Sequence, residues 1–145
     1  MRITIPGDPV AQGRPRFYRV GAGVRAVDPA KSRNWKAEAR WHMQNACQEV
    51  GAKPIPAKVP IELGIEVVFR CPKSDYRKRE PRQWRWHTKK PDLDNVIKAV
   101  KDAGTGVLWI DDSQVVEIHA SKIIAAQGEP PMVVIDVVEM EVEDG

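Results

Sequence analysis

Residues 61–69 have the sequence Ile61-Glu62-Leu63-Gly64-Ile65-Glu66-Val67-Val68-Phe69, the clearest strand signal in the chain. Apolar side chains occupy alternate positions, and successive side chains of a β-strand point to opposite faces of a sheet. The stretch therefore predicts a strand with one buried face. Residues 1–5, 115–124 and 132–142 predict further strands, the last two joined by a turn at residues 127–131.

Two helices and a hairpin are predicted between these strands. Asp28-Pro29 is typical of a helix start, and apolar residues at helical spacing predict a helix over about residues 30–50. A second helix is predicted over about residues 94–104. Residues 13–20 and 24–27 are separated by glycines and predict the extended arms of a hairpin. Because strands and helices are interspersed, we predict an α/β (α+β) fold, with a mixed β-sheet of about four to five strands and two main helices packed on it.

Length and composition predict one domain over residues 1–145 with its own core, since 42% of the residues are hydrophobic. The sequence contains no apolar run of about 18 residues, so no transmembrane helix is expected. The N-terminus lacks the apolar region of a signal peptide. Cys47 and Cys71 are far apart, which favours a reduced, cytoplasmic protein without a structural disulfide. The histidines do not fall at zinc-ligand spacing with these cysteines.

Positive charge is concentrated in one segment. Residues 70–90 contain nine Lys and Arg and two acidic residues, a net charge of +7, whereas the whole chain has a net charge of +3. The rest of the chain therefore has a net charge of −4. This distribution favours a polyanionic partner, although a solvated loop would have the same composition. The connection at residues 72–91, of about 20 residues, is unusual unless it is functional or mobile.

Two acids directly follow this basic segment. Pro91 biases Lys90 away from helical geometry, so Asp94 is a plausible N-cap with Asp92 still extended. In that arrangement both carboxylates point into one pocket at the helix N-terminus. Lys98 lies one helical turn after Asp94 and on the same face, where it can reach the edge of the pocket.

Asp111 and Asp112 form a second acidic pair, at the end of the apolar run 107–110 that we expect to pass through the core. Oxygen ligands from separate segments suit Mg²⁺ or Mn²⁺, which also bind substrate phosphates. The acids and the basic segment together therefore favour metal-dependent hydrolysis of a phosphodiester. The alternative is structural: an exposed Asp94–Lys98 pair, and a turn at the second acidic pair.

Two segments resemble the RusA family of Holliday junction resolvases. They are Asp92-Leu93-Asp94-Asn95-Val96-Ile97-Lys98-Ala99 and Trp109-Ile110-Asp111-Asp112-Ser113-Gln114-Val115-Val116. The stretches Ile5-Pro6-Gly7-Asp8-Pro9 and Gly13-Arg14-Pro15-Arg16 also resemble a subgroup often carried by phages and prophages. The likeness extends to about residue 140 and is most specific over residues 91–117. The chain departs from shorter family members in residues 73–86.

The resemblance implies Mg²⁺-dependent cleavage of four-way DNA junctions by a homodimer, with Mn²⁺ as a possible substitute. The implied function is the resolution of Holliday junctions in DNA recombination and repair, by paired symmetric nicks that leave 5′-phosphate and 3′-hydroxyl ends. The family's essential acids correspond to Asp92, Asp94 and Asp112, and its important lysine to Lys98. Asp111 matches a second acidic position, as a ligand or a neighbour of the ligands. Two alternatives stay open: a nuclease for flaps or forks, and a non-catalytic module that binds branched DNA.

Basic residues of two segments are the candidates for DNA contacts. They are Arg14, Arg16, Arg77, Lys78, Arg79, Lys89 and Lys90. Their contacts with phosphates should depend on salt concentration and little on base sequence. The basic segment also contains three aromatic residues, Tyr76, Trp84 and Trp86. Their side chains could stack on unpaired bases, or they could cover the core or a dimer interface. Trp109 precedes the second acidic pair and is expected in the core.

Overall fold

The stretch 61–69 forms the central strand of a five-stranded sheet in the computed structural model, which describes residues 1–141. The elements in chain order are β1 (Arg2–Pro6), β2 (Arg16–Val20), β3 (Gly23–Val27), α1 (Ala30–Val50), β4 (Ile61–Phe69), β5 (Arg85–Trp86), α2 (Leu93–Gly104), β6 (Val115–Ile124) and β7 (Met132–Glu139). The strand order is β1-β7-β4-β6-β5, and β2 pairs with β3 in a separate hairpin. Because β4 runs antiparallel to β7 and parallel to β6, the predicted mixed sheet with two helices is confirmed.

One face of the large sheet packs against both helices and forms the core. The buried alternate residues of β4 are Ile61, Leu63, Ile65 and Val67. They pack in one cluster with apolar stripes of the helices, which are Trp35, Ala39, Met43 and Cys47 on α1 and Val96, Ala99, Val100 and Ala103 on α2. Glu62 and Glu66 lie on the other face, which we call the open sheet face. Neither helix of the described chain combines the length and apolar character needed to cross a membrane.

The start of α2 differs from the sequence-based expectation. The sequence pattern places the N-cap at Asp94, but the helix begins at Leu93 and Asp92 is the N-cap residue. Leu93 packs against the core cluster three residues before the buried Val96, so including it in the helix extends the apolar stripe. Asp92 is extended, with φ −67° and ψ 139°, as expected.

Two strands also differ from expectation. β7 ends at Glu139, before the predicted end at residue 142, and residue 142 lies outside the described residues. Residues 72–91 were expected to be a connection without strands, but they contain β5, which pairs with the edge of β6. A strand of two residues has no periodicity to detect, because its existence depends on the β6 edge that it meets.

Candidate functional site

α2 begins at an open cavity that contains Asp92. The cavity has a volume of about 510 Å³ and is lined by Arg14, Lys90, Pro91, Asp92 and Asn95. Within residues 1–141, the Asp92 side chain accepts no capping hydrogen bond and forms no ion pair with either cation of the cavity. Asp94 follows in the first turn of the helix and is exposed. Two cations and a carboxylate are therefore available to an outside ligand at this helix end.

Two neighbouring segments hold the backbone around Asp92. Lys122 of β6 donates from Nζ to the carbonyl oxygen of Pro91, at 2.7 Å, and also to the carbonyl of Lys89. On the other side, the backbone N–H of Gln12 donates to the carbonyl oxygen of Asn95 at 2.9 Å. The second contact brings the Arg14 segment to the start of α2. Lys122 was not among the residues singled out from the sequence, and a lysine within a strand carries no signal for such a role.

Asp111 has a structural task in a short turn. It is the N-cap of a 3-10 turn at Asp112–Gln114, and its Oδ1 accepts the Ser113 backbone N–H at 2.9 Å. The Ser113 N–H is the main cause that holds the pKa of the Asp111 carboxyl below its ordinary value. The turn that was the structural alternative for this acidic pair is therefore present.

Gln114 holds this turn against the rest of the fold. The side chain is buried, and its Oε1 accepts the backbone N–H groups of Ile110 and Asp111 at 3.1 and 2.9 Å. Its Nε2 donates to the carbonyl oxygens of Pro56 and Val59 at 2.7 and 3.0 Å. Gln114 was not among the residues predicted from the sequence, although Asp111 and Gln114 have the spacing of a capping box.

Replacing Gln114 by Ala is expected to lower the free energy of unfolding by about 1–3 kcal/mol, because four part-buried hydrogen bonds of this buried side chain are lost. Urea denaturation of the native chain and the variant measures the difference. Gln44→Ala, at an exposed position of α1, is the matched control and should change the free energy of unfolding by less than about 0.5 kcal/mol. Equal small effects of the two substitutions would show that the turn does not depend on the Gln114 side chain.

Asp112 lies at the far end of α2 from Asp92. It lines a cavity of about 690 Å³ with Asp102 and Thr105, which mark the C-terminal end of the helix, and with Asp28 and Lys36. Asp102 lies ten positions after Asp92, a distance of about 15 Å along a helix. The structure of one chain therefore does not bring Asp112 together with Asp92.

The sequence of this chain matches a known family over most of its length. Residues 6–137 match the family model described as "Endodeoxyribonuclease RusA". The chain belongs to the RusA family. It is 32% identical over 135 residues to "Uncharacterized protein YqaN" of Bacillus subtilis (strain 168), which covers 88% of this chain and 89% of that protein. It is 28% identical over 116 residues to "Crossover junction endodeoxyribonuclease rusA" of Lactococcus phage r1t, which covers 79% of this chain and 80% of that protein.

The cavity that contains Asp112 of this RusA-family chain is already partly neutralised. Lys36 Nζ lies 2.5 Å from Asp28 Oδ2 and 3.7 Å from Asp102 Oδ2. The hydrogen bond from Lys36, helped by one from Gln12, lowers the pKa of the Asp28 carboxyl. Two of the three carboxylates in this cavity thus have a cationic partner, whereas Asp112 has none within the described part of the chain.

Three side chains that could bind a metal ion have closely spaced donor atoms, and they lie outside the two cavities at the ends of α2. In residues 1–141 the one such group is Glu62, Glu117 and His119, whose donor atoms lie within 4.8 Å of one another on the open sheet face. His119 Nε2 is 3.0 Å from Glu117 Oε1 and 3.4 Å from Glu62 Oε1. An imidazole between two carboxylates forms ion pairs when it is protonated. The predicted metal ligands Asp92, Asp94, Asp111 and Asp112 are outside this group.

The basic residues predicted to contact DNA occupy separate parts of the surface. Arg14 and Lys90 line the Asp92 cavity, whereas Arg77 and Arg79 line a second basic cavity of about 620 Å³. The remaining candidates are exposed: Arg16 on β2, and Lys78 and Lys89 in the basic segment. Each of these seven side chains is exposed and accessible to a polyanion.

Proposed function

We propose that this RusA-family chain resolves four-way DNA junctions by paired symmetric nicks, as a Mg²⁺-dependent endodeoxyribonuclease that acts as a homodimer. The observation that carries the proposal is the cavity at the start of α2, where Arg14 and Lys90 flank Asp92, which forms no ion pair within residues 1–141. The printed name of the phage relative, a crossover junction endodeoxyribonuclease, supports the junction as substrate.

The acids fit a hard divalent cation. Asp92 and Asp94 are exposed carboxylates, and neither forms an ion pair within residues 1–141. Mg²⁺ prefers oxygen ligands, keeps several waters and binds together with substrate phosphates, so a few exposed carboxylates suffice to hold it. Asp92, Asp94 and Asp112 would hold the ion. When bound, it supplies Lewis-acid chemistry, which offsets charge on the scissile phosphate and makes water a better nucleophile at neutral pH.

The neighbouring cations place the substrate. Lys98 is exposed one turn after Asp94 on α2, where it can orient a phosphate oxygen of the cleaved strand. Arg14 and Lys90 approach the same helix end and would neutralise the phosphate that enters the cavity. Asp111 contributes by fixing the turn that carries Asp112, because its carboxylate caps that turn.

The position of Asp112 supports the proposed dimer. Carboxylates that share one Mg²⁺ lie within a few Å of each other, since each ligand bond is about 2.0–2.1 Å long. Asp92 and Asp112 occupy cavities at opposite ends of α2. We infer that each site combines Asp92 and Asp94 of one protomer with Asp112 of the partner subunit. A twofold dimer then presents two sites to a junction that itself has approximate twofold symmetry.

Cleavage of three substrates tests the proposed function. A four-way junction, a flap and a linear duplex of matched sequence are incubated with the native chain in Mg²⁺ and in EDTA. We expect paired nicks at symmetric positions of the junction, only with Mg²⁺, and products that DNA ligase can rejoin. Faster cleavage of the flap than of the junction would show that the flap is the preferred substrate. Junction binding without cleavage in either Mg²⁺ or Mn²⁺ would reject a nuclease.

Lys122→Met is expected to slow junction cleavage by about 10- to 100-fold, the range seen when a group that orients a metal ligand is removed. Without the lysine, the Pro91 carbonyl loses its donor and Asp92 its fixed position. Cleavage rates over a Mg²⁺ titration measure the effect, which should include a higher Mg²⁺ requirement. Lys31→Met, at an exposed position of α1, controls for the charge change. An unchanged Mg²⁺ requirement in Lys122→Met would contradict a positioning role.

A further inference from the structure

Residues 73–86 of the basic segment are held in a defined conformation by their contacts. Gln127 acts as a clamp, because its Oε1 accepts the backbone N–H groups of Arg77 and Arg82 at 2.9 and 3.1 Å. Its Nε2 donates to the carbonyl oxygen of Arg77 at 3.0 Å. Tyr76 accepts the Gly128 backbone N–H at its hydroxyl, at 3.1 Å. The segment is thus tied to the β6–β7 connection at several points.

A charged cluster inside the segment adds to this order. Arg85 Nη2 lies 2.6 Å from Asp75 Oδ2, and Arg82 Nε donates to the Asp75 carbonyl at 3.1 Å. Asp75 is one of the two acids in the segment, so its pairing leaves most of the cations free to meet a polyanion. Trp86 follows Arg85 in β5 and therefore projects from the opposite face of that strand, and Trp84 directly precedes the strand.

Trp84 and Trp86 form an exposed aromatic pair. Their side chains are 53% and 63% exposed, and their ring centroids lie 5.1 Å apart with an interplanar angle of 87°. Tryptophan is highly buried on average, so two adjacent exposed indoles indicate a surface with a binding task. The edge-to-face arrangement is a favourable one for an aromatic pair in itself, and it leaves ring surface free.

The surroundings of the pair indicate a nucleic acid as its partner. Gln83 and Arg85, the chain neighbours of Trp84, line the basic cavity of about 620 Å³, together with Arg77, Arg79, Glu80, Pro81 and Arg82. Aromatic rings beside a basic groove are the combination that binds single strands, because the cations follow the backbone and the rings stack on bases. We propose that Trp84 and Trp86 are a stacking platform for unpaired bases of branched DNA.

The platform lies within reach of the candidate active site. Asp92 lies six positions after Trp86, which limits the distance between them to about 20 Å even for a fully extended chain. That length corresponds to about six nucleotides at a spacing of about 3.4 Å along one strand. A strand cut at the Asp92 cavity can therefore reach the platform with its nearby bases, and in this respect the proposal rests on the proposed function.

Binding measurements in EDTA, where cleavage does not interfere, test the platform. A fluorescent four-way junction is compared with the same junction that has abasic sites at the crossover, and with a linear duplex. The double variant Trp84→Ala/Trp86→Ala should bind the intact junction about 5- to 150-fold more weakly than the native chain, the range for loss of one stacked base. Duplex affinity should change by less than about twofold, because phosphate contacts dominate there.

The abasic junction separates base stacking from other effects. The native chain should bind the abasic junction more weakly than the intact one, because the bases that stack on the platform are missing. The double variant, which lacks the platform, should bind the two junctions with equal affinity. Trp84→Phe/Trp86→Phe should keep most of the native affinity, because a phenyl ring also stacks. Trp41→Ala is the matched control, since Trp41 is 58% exposed on α1 and away from the basic segment.

Further outcomes decide between partners. Equal sensitivity of the native chain and the double variant to abasic sites would overturn the platform, even if the junction is cleaved normally. A change of oligomeric state in the double variant, seen by sedimentation, would also overturn it and assign the pair to a subunit interface. If the native chain fails to prefer junctions, the proposed function is wrong. Binding of intact and abasic single strands then still tests the stacking of bases.

Discussion

Asp94→Asn is expected to lower the rate of junction cleavage by about 100-fold or more and to leave junction binding intact. Neighbours of a metal ligand already contribute about 10- to 100-fold, so loss of a proposed ligand should cost at least the upper end of that range. The neutral amide is similar in shape, and Asp94 is exposed, so the fold should tolerate it. Single-turnover cleavage and binding in EDTA measure the two quantities separately.

Asp102→Asn is the matched control for this change. Asp102 lies on the same helix and loses the same charge, but it is paired at 3.7 Å with Lys36 rather than placed at the start of α2. Its cleavage rate should remain within about threefold of the native rate, since a partly exposed pair contributes little. Similar losses in both variants would mean that the charge of α2 matters in general and that Asp94 has no special role.

Mixing two inactive variants tests whether the site is shared between subunits. Asp94→Asn and Asp112→Asn chains are each expected to be inactive alone. In a mixed dimer with shared sites, one site receives both substitutions and the other receives neither, so cleavage partly returns after subunit exchange. If each site lay within one chain, both sites of the mixed dimer would carry a substitution and no activity would return. The absence of recovery, with exchange verified, would reject the proposed dimer arrangement.

Trp109→Ala is expected to lower the free energy of unfolding by about 3–5 kcal/mol, the range for truncating a buried tryptophan. Trp109 is fully buried, and its Nε1 donates to Thr105 Oγ1 at 3.1 Å. Its ring lies so close to Gly104 that an added Cβ there would be 2.7 Å from the ring carbons. Removal of the ring therefore leaves a cavity and takes away one hydrogen bond of the Thr105 hydroxyl group, which still donates to the Lys101 carbonyl oxygen at 2.9 Å. Small domains are stable by about 5–15 kcal/mol, so the effect is a large share of the total.

Urea denaturation measures this loss, and Trp109→Phe keeps the experiment informative if the alanine variant does not fold. The phenylalanine variant retains part of the ring volume and should be less destabilised than the alanine variant. Trp41→Ala removes the same side chain from an exposed site and should change the free energy of unfolding by less than about 0.5 kcal/mol. Equal effects at the two positions would contradict the assignment of Trp109 to the core.

Local patterns in the chain were sufficient for most of the fold. The alternation in residues 61–69 predicted β4, and the helical spacing after Asp28-Pro29 predicted α1, since both periods arise within one element. The acidic motifs were likewise visible as local residue patterns, and their role as metal ligands stays a prediction. Each of these patterns lies within one short stretch of sequence, so it can be recognised without knowledge of the tertiary structure.

Packing between distant segments decided the remainder. The contacts of Gln114 with residues 56–59 and of Lys122 with Pro91 join segments that no local pattern relates. The same holds for β5, which exists because the edge of β6 offers unpaired backbone groups. The position of Asp112 is the clearest case. The sequence predicted metal ligands from both acidic pairs, but the length of α2 keeps Asp112 away from Asp92 within one chain.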